Sequence, residues 1–246
     1  KISFVGESDT TLFESWENEW IQVGHTQLEV SEHQGSFALT KQEEYLCSQF
    51  SPFDIRYGND AVWLTGGFED EHCQNIIIDV RFCQPGKNRL SISITSQDTD
   101  LNYMQLNMKS DPTERIYGMG EQFPHDDLNL KGRTIPVIVQ EGGVGRGQSP
   151  ITPLVNTVSE GSGGTEESTY YAAPHYLSSK HRSFFLENTE YSEFNFENPD
   201  KISIGLFGTN LKAQLIYGES PLDMITTFTE YAGRMPIPPK WVNEGA

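Results

Sequence analysis

Alternation of apolar and polar residues is the commonest pattern along this chain, and it predicts β-strands. In residues 89–95 (RLSISIT), Leu and Ile occupy every second position, with Ser or Thr between them. Because successive side chains of a strand point to opposite faces, such a run buries one face and leaves the other in water. The segments that we predict as strands on this basis are 61–66, 75–83, 89–95, 101–107, 134–140, 183–187, 201–207 and 211–217.

One stretch near the end of the chain has helical spacing instead. Ser220 is a suitable N-cap, Pro221 suits the first helical position, and Asp223 completes a pattern like a capping box. A Gly at 233 and a Pro at 236 then end the helix, which we place near 220–233. The apolar residues at helical spacing, which predict its packed face, are Leu222, Ile225, Phe228 and Ala232.

Residues 157–168 (TVSEGSGGTEES) are small and polar. Such a segment has nothing to drive its burial, so we predict a mobile loop. The lid of a binding site is an equally open alternative for the same residues.

Length and charge limit the fold and the partners. A chain of 246 residues is long enough to bury a sizeable core, and its pattern indicates one mostly β domain, an antiparallel β-sandwich. The formal net charge is −18, from 35 acidic and 17 basic residues, so phosphate backbones are repelled and no nucleic-acid partner is expected. No apolar run approaches the roughly 20 residues that span a bilayer, so no membrane partner is expected either.

The three cysteines, Cys47, Cys73 and Cys83, are an odd number in a large chain and do not indicate a disulfide framework. Cys73 and Cys83 flank a strand-like run, which leaves a bond between them open, although buried free thiols are the favoured interpretation. His72 and these cysteines also lack the paired spacing of a zinc site. We predict no metal and no cofactor, and the compartment stays undetermined.

The candidate chemistry lies in two acidic turns that contain glycine, residues 120–123 (GEQF) and 141–146 (EGGVGR). Glycine lets the backbone turn sharply and approach a ligand closely, while Glu and Arg supply acceptors and donors for a polar ligand such as a sugar. The candidate binding residues are therefore Glu121, Gln122, Glu141 and Arg146. The alternative is that these are two ordinary hairpin turns whose charges face water. We expect His125, between them, to be a solvated loop residue.

Three segments also resemble a known family. Residues 117–123 (YGMGEQF) resemble the Y-G-x-G-E segment near the end of the N-terminal β-domain of glycoside hydrolase family 31, which contains α-glucosidases, α-xylosidases and sulfoquinovosidases. Residues 141–146 are similar to the E-Q-G-x-G-R stretch of its sulfoquinovosidase-like branch, and residues 233–242 (GRMPIPPKWV) resemble its G-R-x-P-x-P-x-W linker. The chain departs from the sulfoquinovosidase-like pattern at two places, and both bear on the identity of the substrate. Gly142 stands where that branch has Gln, and residues 125–130 carry a small insertion relative to it.

The resemblance implies a galactose-mutarotase-like sandwich over residues 1–218. It also implies that residues 219–246 form a helix and a Pro-rich linker to a (β/α)8 catalytic barrel that is absent from this chain. Since the family carries its catalytic aspartates on that barrel, no catalytic residue is assigned here. The expected partners are the remaining catalytic-barrel polypeptide and a saccharide ligand. The start at Lys1 rather than Met leads us to expect a processed or trimmed product.

The function that follows from the resemblance is the N-terminal, substrate-entrance-forming part of a retaining α-glycoside hydrolase. Glu121 and Glu141 are then loop-shaping or substrate-proximal groups, and one way to lock the loops is for them to pair with Arg133 or Arg146. We expect Arg146 to bind substrate, with its pairing to Glu141 or Glu121 as the alternative. A non-catalytic carbohydrate-binding or scaffold protein on the same sandwich is the competing class, and a relative that cleaves α-glucan by elimination is a third.

Overall fold

The computed structural model describes residues 1–5, 10–33, 35–98, 100–141 and 143–244, most of which lie in antiparallel strands and the turns that join them. The strands, in chain order, are β1 (Ser3–Val5), β2 (Thr11–Glu14), β3 (Ile21–His33), β4 (Ser36–Cys47), β5 (Phe50–Tyr57), β6 (Ala61–Phe68), β7 (Ile77–Gly86), β8 (Arg89–Ser96), β9 (Tyr103–Lys109), β10 (Ile116–Gly120), β11 (Thr134–Pro136), β12 (Ala172–Ser178), β13 (Arg182–Leu186), β14 (Ser192–Asn195), β15 (Lys201–Leu206) and β16 (Asn210–Tyr217).

Two large sheets form a β-sandwich. Among the described residues, one sheet has the order β10-β12-β13-β16-β8-β7-β6-β5 and the other β11-β14-β15-β9-β3-β4, with β1 and β2 as a separate pair. Residues of both sheets join one hydrophobic core, for example Ile92 of the first and Ile204 of the second, each fully buried. The predicted mostly β, antiparallel fold is confirmed.

The period-two pattern correctly predicts which side chains enter the core. In β8 the Leu and Ile side chains are buried and the Ser and Thr side chains between them are mostly less so. The predicted strand 134–140 is too long, however, because only Thr134–Pro136 pairs, with β14. The longest strands, β3 and β4, are absent from the prediction. The halves of β3 and β4 near the hairpin tip are largely exposed on both faces, and residues 40–44 (TKQEE) of β4 contain no apolar residue, so no buried stripe signals this part of the hairpin.

The predicted C-terminal helix is present as α2 of the structure (Pro221–Ala232), and its N-terminus is capped as expected, because the Ser220 hydroxyl accepts the Asp223 N–H. The predicted packed face is partly wrong. Met224 is the buried residue of this helix, whereas Leu222 is 71% exposed. The outer face of the larger sheet supplies aromatic partners that fix this rotation: the ring of Phe228 stacks on His175, with centroids 4.1 Å apart.

Two shorter helices that the sequence did not predict, α1 (Ile151–Val158) and α3 (Lys240–Glu244), are also present. The cap residue of α1 is Pro150, which offers no side-chain hydrogen bond, so the usual start signal is missing. Its first turn is held by tertiary contacts instead, with the buried Thr152 hydroxyl accepting the Gly147 N–H at 2.9 Å. No helix in the described ranges is long and apolar enough to cross a bilayer.

A disulfide joins Cys47 to Cys73, and both residues are buried. The favoured interpretation of free thiols is therefore wrong for Cys47 and Cys73 and correct for Cys83, and the Cys73–Cys83 bond that the sequence left open does not form. The β5–β6 hairpin returns the chain to the end of β4, so residues 26 apart in sequence meet. Asp70 accepts the backbone N–H groups of the two residues that follow Cys47, each at 3.0 Å, and this holds the same junction.

A buried ion pair lies beside the core. Arg182 donates to both carboxylate oxygens of Glu114, at 3.0 and 2.9 Å, and the two side chains are 6% and 0% exposed. Burial by itself would raise the pKa of Glu114. The charge of Arg182 outweighs that effect, together with hydrogen bonds from Arg182, Ser110 and Ser178, and lowers the pKa to about 2. The folded state therefore depends on the ionised form of this carboxyl.

Candidate functional site

The first acidic turn begins where β10 ends. Gly120 has a φ of +85°, and a Cβ there would lie 2.0 Å from the carbonyl oxygen of Tyr171, so only glycine fits. The Glu121 N–H donates to that same oxygen at 2.8 Å, and Thr169 donates to the Glu121 carbonyl at 2.7 Å. The Glu121 backbone is thus held on both sides while its side chain is exposed. The amide nitrogen of Gln122 turns back to the Met119 carbonyl, at 3.0 Å.

The second turn packs against α1 and the segment that follows it. The N–H groups of Gly143 and Arg146 donate to the carbonyls of Ser162 and Gly163, at 2.9 and 3.0 Å. Gly145 has a φ of +87°, and a Cβ at this position would lie 2.7 Å from the Thr152 hydroxyl. The Gly/Ser-rich residues predicted as a loop therefore form one wall behind this turn. Gly142, where the sequence departs from the sulfoquinovosidase-like pattern, lies outside the described residues.

Glu141 lies against the tip of the β3–β4 hairpin. Its N–H donates to the Gly35 carbonyl at 2.8 Å, and its own carbonyl accepts the Ser36 hydroxyl at 2.8 Å. The side-chain carbons of Glu141 pack over Gly35, where a Cβ would meet them at 2.6 Å. The hairpin, which sequence reasoning missed, therefore holds Glu141, and the carboxylate stays exposed.

Arg146 occupies an unusual position in the second turn. Its φ is +45°, a left-handed conformation that non-glycine residues seldom adopt. Its guanidinium carbon lies 4.8 Å from the centre of the Phe123 ring, so the charge stacks on an aromatic face of the first turn. The Nε and Nη2 atoms are buried and have no acceptor in the described part of the chain. Buried donors are normally satisfied, so these two are candidates for a ligand or partner oxygen.

His125 is an exposed loop residue, as expected, but both of its ring nitrogens have partners and link the two turns. One ring nitrogen, Nε2, lies 2.9 Å from the Arg146 carbonyl, and the other, Nδ1, lies 2.9 Å from the amide nitrogen of Gln148. A neutral imidazole that donates from Nε2 and accepts at Nδ1 satisfies both contacts. Nothing in the local pattern around His125 signals a contact with a residue 21 positions away.

Ion pairing near the site differs from the expected arrangement. Arg133 pairs with Glu166, with Glu167 4.0 Å away, rather than with Glu121 or Glu141. Among the described residues, Arg146 forms no ion pair with Glu121 or Glu141. Its guanidinium stacks on the ring of Phe123 instead. The structure thus brings Arg146 to the first turn through Phe123 and His125, and it leaves the carboxylates of Glu121 and Glu141 exposed.

The arrangement can therefore bind a polar ligand by directional hydrogen bonds beside an aromatic ring. A guanidinium with unoccupied donors favours an oxygen-rich group, and Phe123, 49% exposed, offers an apolar face. In the ranges that the structure describes, no three His, Cys, Asp or Glu side chains come together as a metal ion would require.

Comparison with known proteins identifies the family. Residues 2–195 match the model of the glycosyl hydrolase 31 N-terminal galactose mutarotase-like domain. The chain belongs to glycoside hydrolase family 31. The predicted recognition is confirmed, and the matched residues contain β1 to β14 of the sandwich, whereas β15 and β16 follow the end of the match.

Individual family 31 proteins show the same relationship. A sulfoquinovosidase of Agrobacterium fabrum is 31% identical over 156 residues, which cover 63% of this chain and 23% of that protein. The α-xylosidase XylQ of Lactiplantibacillus pentosus is 27% identical over 151 residues, 61% of this chain and 17% of that protein. A solved sulfoquinovosidase from E. rectale, in complex with an aza-sugar inhibitor, superposes on 98% of this chain with a TM-score of 0.82 and 27% identity.

The family 31 chain is short beside these relatives. It spans about a quarter or less of the two curated proteins and 34% of the solved sulfoquinovosidase. The matched part is the N-terminal region of glycosidases, and the chain is in this sense part of a glycoside hydrolase.

Proposed function

We propose that this chain is the N-terminal, substrate-entrance-forming part of a retaining α-glycoside hydrolase. In this proposal residues 1–218 are the sandwich domain, and residues 219–246 lead into a catalytic (β/α)8 barrel. The barrel supplies the two carboxylates that such a reaction needs, one as nucleophile and one as acid and base. The sandwich supplies the loops around Glu121, Gln122, Glu141 and Arg146, which line the route to the barrel.

The unsatisfied guanidinium of Arg146 is the observation that carries the proposal. Its Nε and Nη2 are buried and have no acceptor among the described residues, while the Arg146 carbonyl contacts His125 and the guanidinium stacks on Phe123. A side chain fixed in this way is preorganised, so binding of a hydroxyl or an anionic oxygen does not cost the entropy of ordering the side chain. The substrate, or a barrel residue that contacts the substrate, is the acceptor that this geometry fits.

A second support is the number of exposed apolar side chains in α2 and in the residues that follow it. Leu222, Met235, Ile237 and Trp241 are 71%, 82%, 96% and 69% exposed, respectively. Large apolar side chains grouped in this way mark interaction surfaces. The catalytic-barrel polypeptide is the partner that we propose for them.

The test is to assay the protein that contains this chain together with the barrel. Aryl α-glucoside, aryl α-xyloside and aryl α-sulfoquinovoside are the substrates to compare, and proton NMR follows the anomer that is released first. We expect release of the α-anomer from at least one substrate, with retention. Inactivity on all three would favour the non-catalytic carbohydrate-binding or scaffold class, and release of an unsaturated product would indicate elimination.

A further inference from the structure

A polar cavity lies between the β3–β4 hairpin and the segment that follows α1. It has a volume of about 540 Å³, within the usual range for small-ligand sites. Residues 31–33 and 36–38 of the hairpin line one wall, and residues between 156 and 168 line the other. The Gly/Ser-rich segment, for which the sequence left open a role as a lid, therefore borders a real cavity.

The two walls are held together by the protein itself. The Ser36 hydroxyl lies 2.8 Å from the Glu141 carbonyl and 3.2 Å from the Gly161 carbonyl, so it bridges the hairpin and the segment. The Phe37 N–H donates to the side-chain oxygen of Gln140 at 3.3 Å. The cavity is therefore preformed, and a ligand would not need to order its walls.

Several polar groups of the lining have no partner among the residues that the structure describes. The side-chain oxygens of Gln140 and Asn156 each accept a backbone N–H. No acceptor in the described residues engages their amide nitrogens, so these nitrogens can donate to a ligand. Glu160 and His33 also line the cavity, and no hydrogen bond or ion pair within the described residues engages either side chain. Phe37 adds an aromatic ring. Donors, acceptors and a ring around one cavity are the groups that bind a sugar, which has hydroxyls at its edge and C–H groups on its face.

The charge of the lining narrows the ligand class. Glu32 and Glu160 contribute two carboxylates, and the described lining contains no Lys or Arg. Carboxylates repel a sulfonate, a phosphate or a uronate, and they accept hydrogen bonds well from neutral hydroxyls. The side chains that line this cavity thus carry negative charge, whereas the Arg146 position offers a positively charged guanidinium to a ligand.

We propose that this cavity is a binding subsite for the ring of a neutral saccharide. The subsite is built only from this chain and does not depend on the barrel, so it goes beyond the function proposed above. In it the amides of Gln140 and Asn156 donate to ring hydroxyls, Glu160 accepts from them, and Phe37 contacts the sugar face.

Titration of the 15N-labelled 246-residue chain with maltose tests the subsite, with glucuronate as the charged counterpart. We expect saturable shifts of the amide signals of residues 31–38 and 156–168 at millimolar maltose, and much weaker shifts with glucuronate. Glu160→Ala and His33→Ala should each weaken maltose binding, Glu160→Ala by about tenfold because it removes a charged acceptor. Glu29→Ala, which removes an exposed carboxylate of the same hairpin outside the cavity, should bind like the parent chain.

Three results would overturn the subsite: no saturable shifts with maltose, shifts located elsewhere, or equal binding by the Glu160→Ala and Glu29→Ala variants. Tighter binding of glucuronate than of maltose would overturn the assignment to neutral sugars. None of these outcomes involves catalysis. Failure of the subsite is therefore distinguishable from failure of the proposed hydrolase function, which the aryl glycoside assay decides.

Discussion

Substituting Gly145 by Ala should destabilise the protein much more than the same change at Gly147, two residues away. Both glycines have a positive φ, +87° and +88°, so an added Cβ strains the backbone of each to a similar extent. That strain costs about 1–2 kcal/mol per residue. The two sites differ in the space that surrounds the new methyl group.

The space at Gly145 is already occupied. A Cβ there would lie 2.7 Å from the Thr152 hydroxyl, 2.8 Å from Cγ2 of Ile151 and 2.9 Å from the Thr152 nitrogen, whereas at Gly147 nothing lies within 4 Å. The Thr152 N–H is itself held by the Gln148 carbonyl at 2.8 Å, so the helix start cannot move freely. Overpacking of this kind costs about 1–3 kcal/mol more. We therefore expect a loss of about 1–2 kcal/mol for Gly147→Ala and about 2–5 kcal/mol for Gly145→Ala.

Urea unfolding of the two variants beside the parent chain measures this difference. In a thermal melt, each kcal/mol should correspond to about 2–4 °C for a chain of this length. Hydrogen exchange adds a local readout, since the Arg146 N–H, which donates to the Gly163 carbonyl, should lose protection in Gly145→Ala. Equal losses of stability for the two variants, with unchanged protection of Arg146, would refute the argument that close packing on α1 holds this turn.

Three further predictions concern the rest of the molecule. The pKa of Glu114 is lowered from 4.5 to about 2, so its stabilising effect is present above about pH 4.5 and is lost as the pH falls towards 2. The stability gap between the parent chain and Glu114→Gln, measured by urea unfolding, should shrink across that range, and a constant gap would contradict the role of the ion pair. Cys73→Ser should lower the free energy of unfolding by about 3 kcal/mol, as expected for the loss of a disulfide that closes a loop of this length. Cys83→Ser, which removes a free thiol, should change it little. Equal effects of the two substitutions in denaturant unfolding would argue against the bond. The purified 246-residue chain should not hydrolyse aryl α-glycosides, because we place the catalytic carboxylates on the barrel; turnover in the absence of any other chain would overturn that placement.

Local patterns predicted the parts of the fold that depend on local geometry. The alternation in β8 specifies which side chains are buried, because a strand repeats every two residues whatever its neighbours are. The Ser220 cap likewise predicts the start of α2, since a cap acts within its own turn.

The features that the sequence did not reveal depend on contacts between distant segments. The helical spacing of apolar residues in α2 indicates a helix. Which side of it packs depends on the neighbouring sheet, where the ring of Phe228 stacks on His175. The partner of Cys73 is decided by the β5–β6 hairpin that returns the chain to Cys47. No spacing rule near Cys73 contains that information.

The candidate site divides in the same way. The glycines and charges of the two turns can be read from the sequence, and the structure places the Arg146 guanidinium on the Phe123 ring of the first turn. The contacts of His125 and of the hairpin tip could not be predicted, because they join residues that only the sandwich brings together. That Nε and Nη2 of Arg146 lack an acceptor among the described residues can be seen only in the folded structure.

Paired kinetics and melting of an Arg146→Ala variant test the central claim most directly. The experiment uses the protein with its barrel, and Arg115→Ala, which removes an exposed arginine paired with Asp127, is the matched control. If Arg146 binds substrate, its loss should reduce kcat/KM by about 10- to 150-fold, the effect of losing a hydrogen bond from a charged donor, while the melting temperature hardly changes. Arg115→Ala should leave kcat/KM close to that of the parent. A lower melting temperature with normal kcat/KM for Arg146→Ala would contradict the account and make Arg146 a structural residue of the turn.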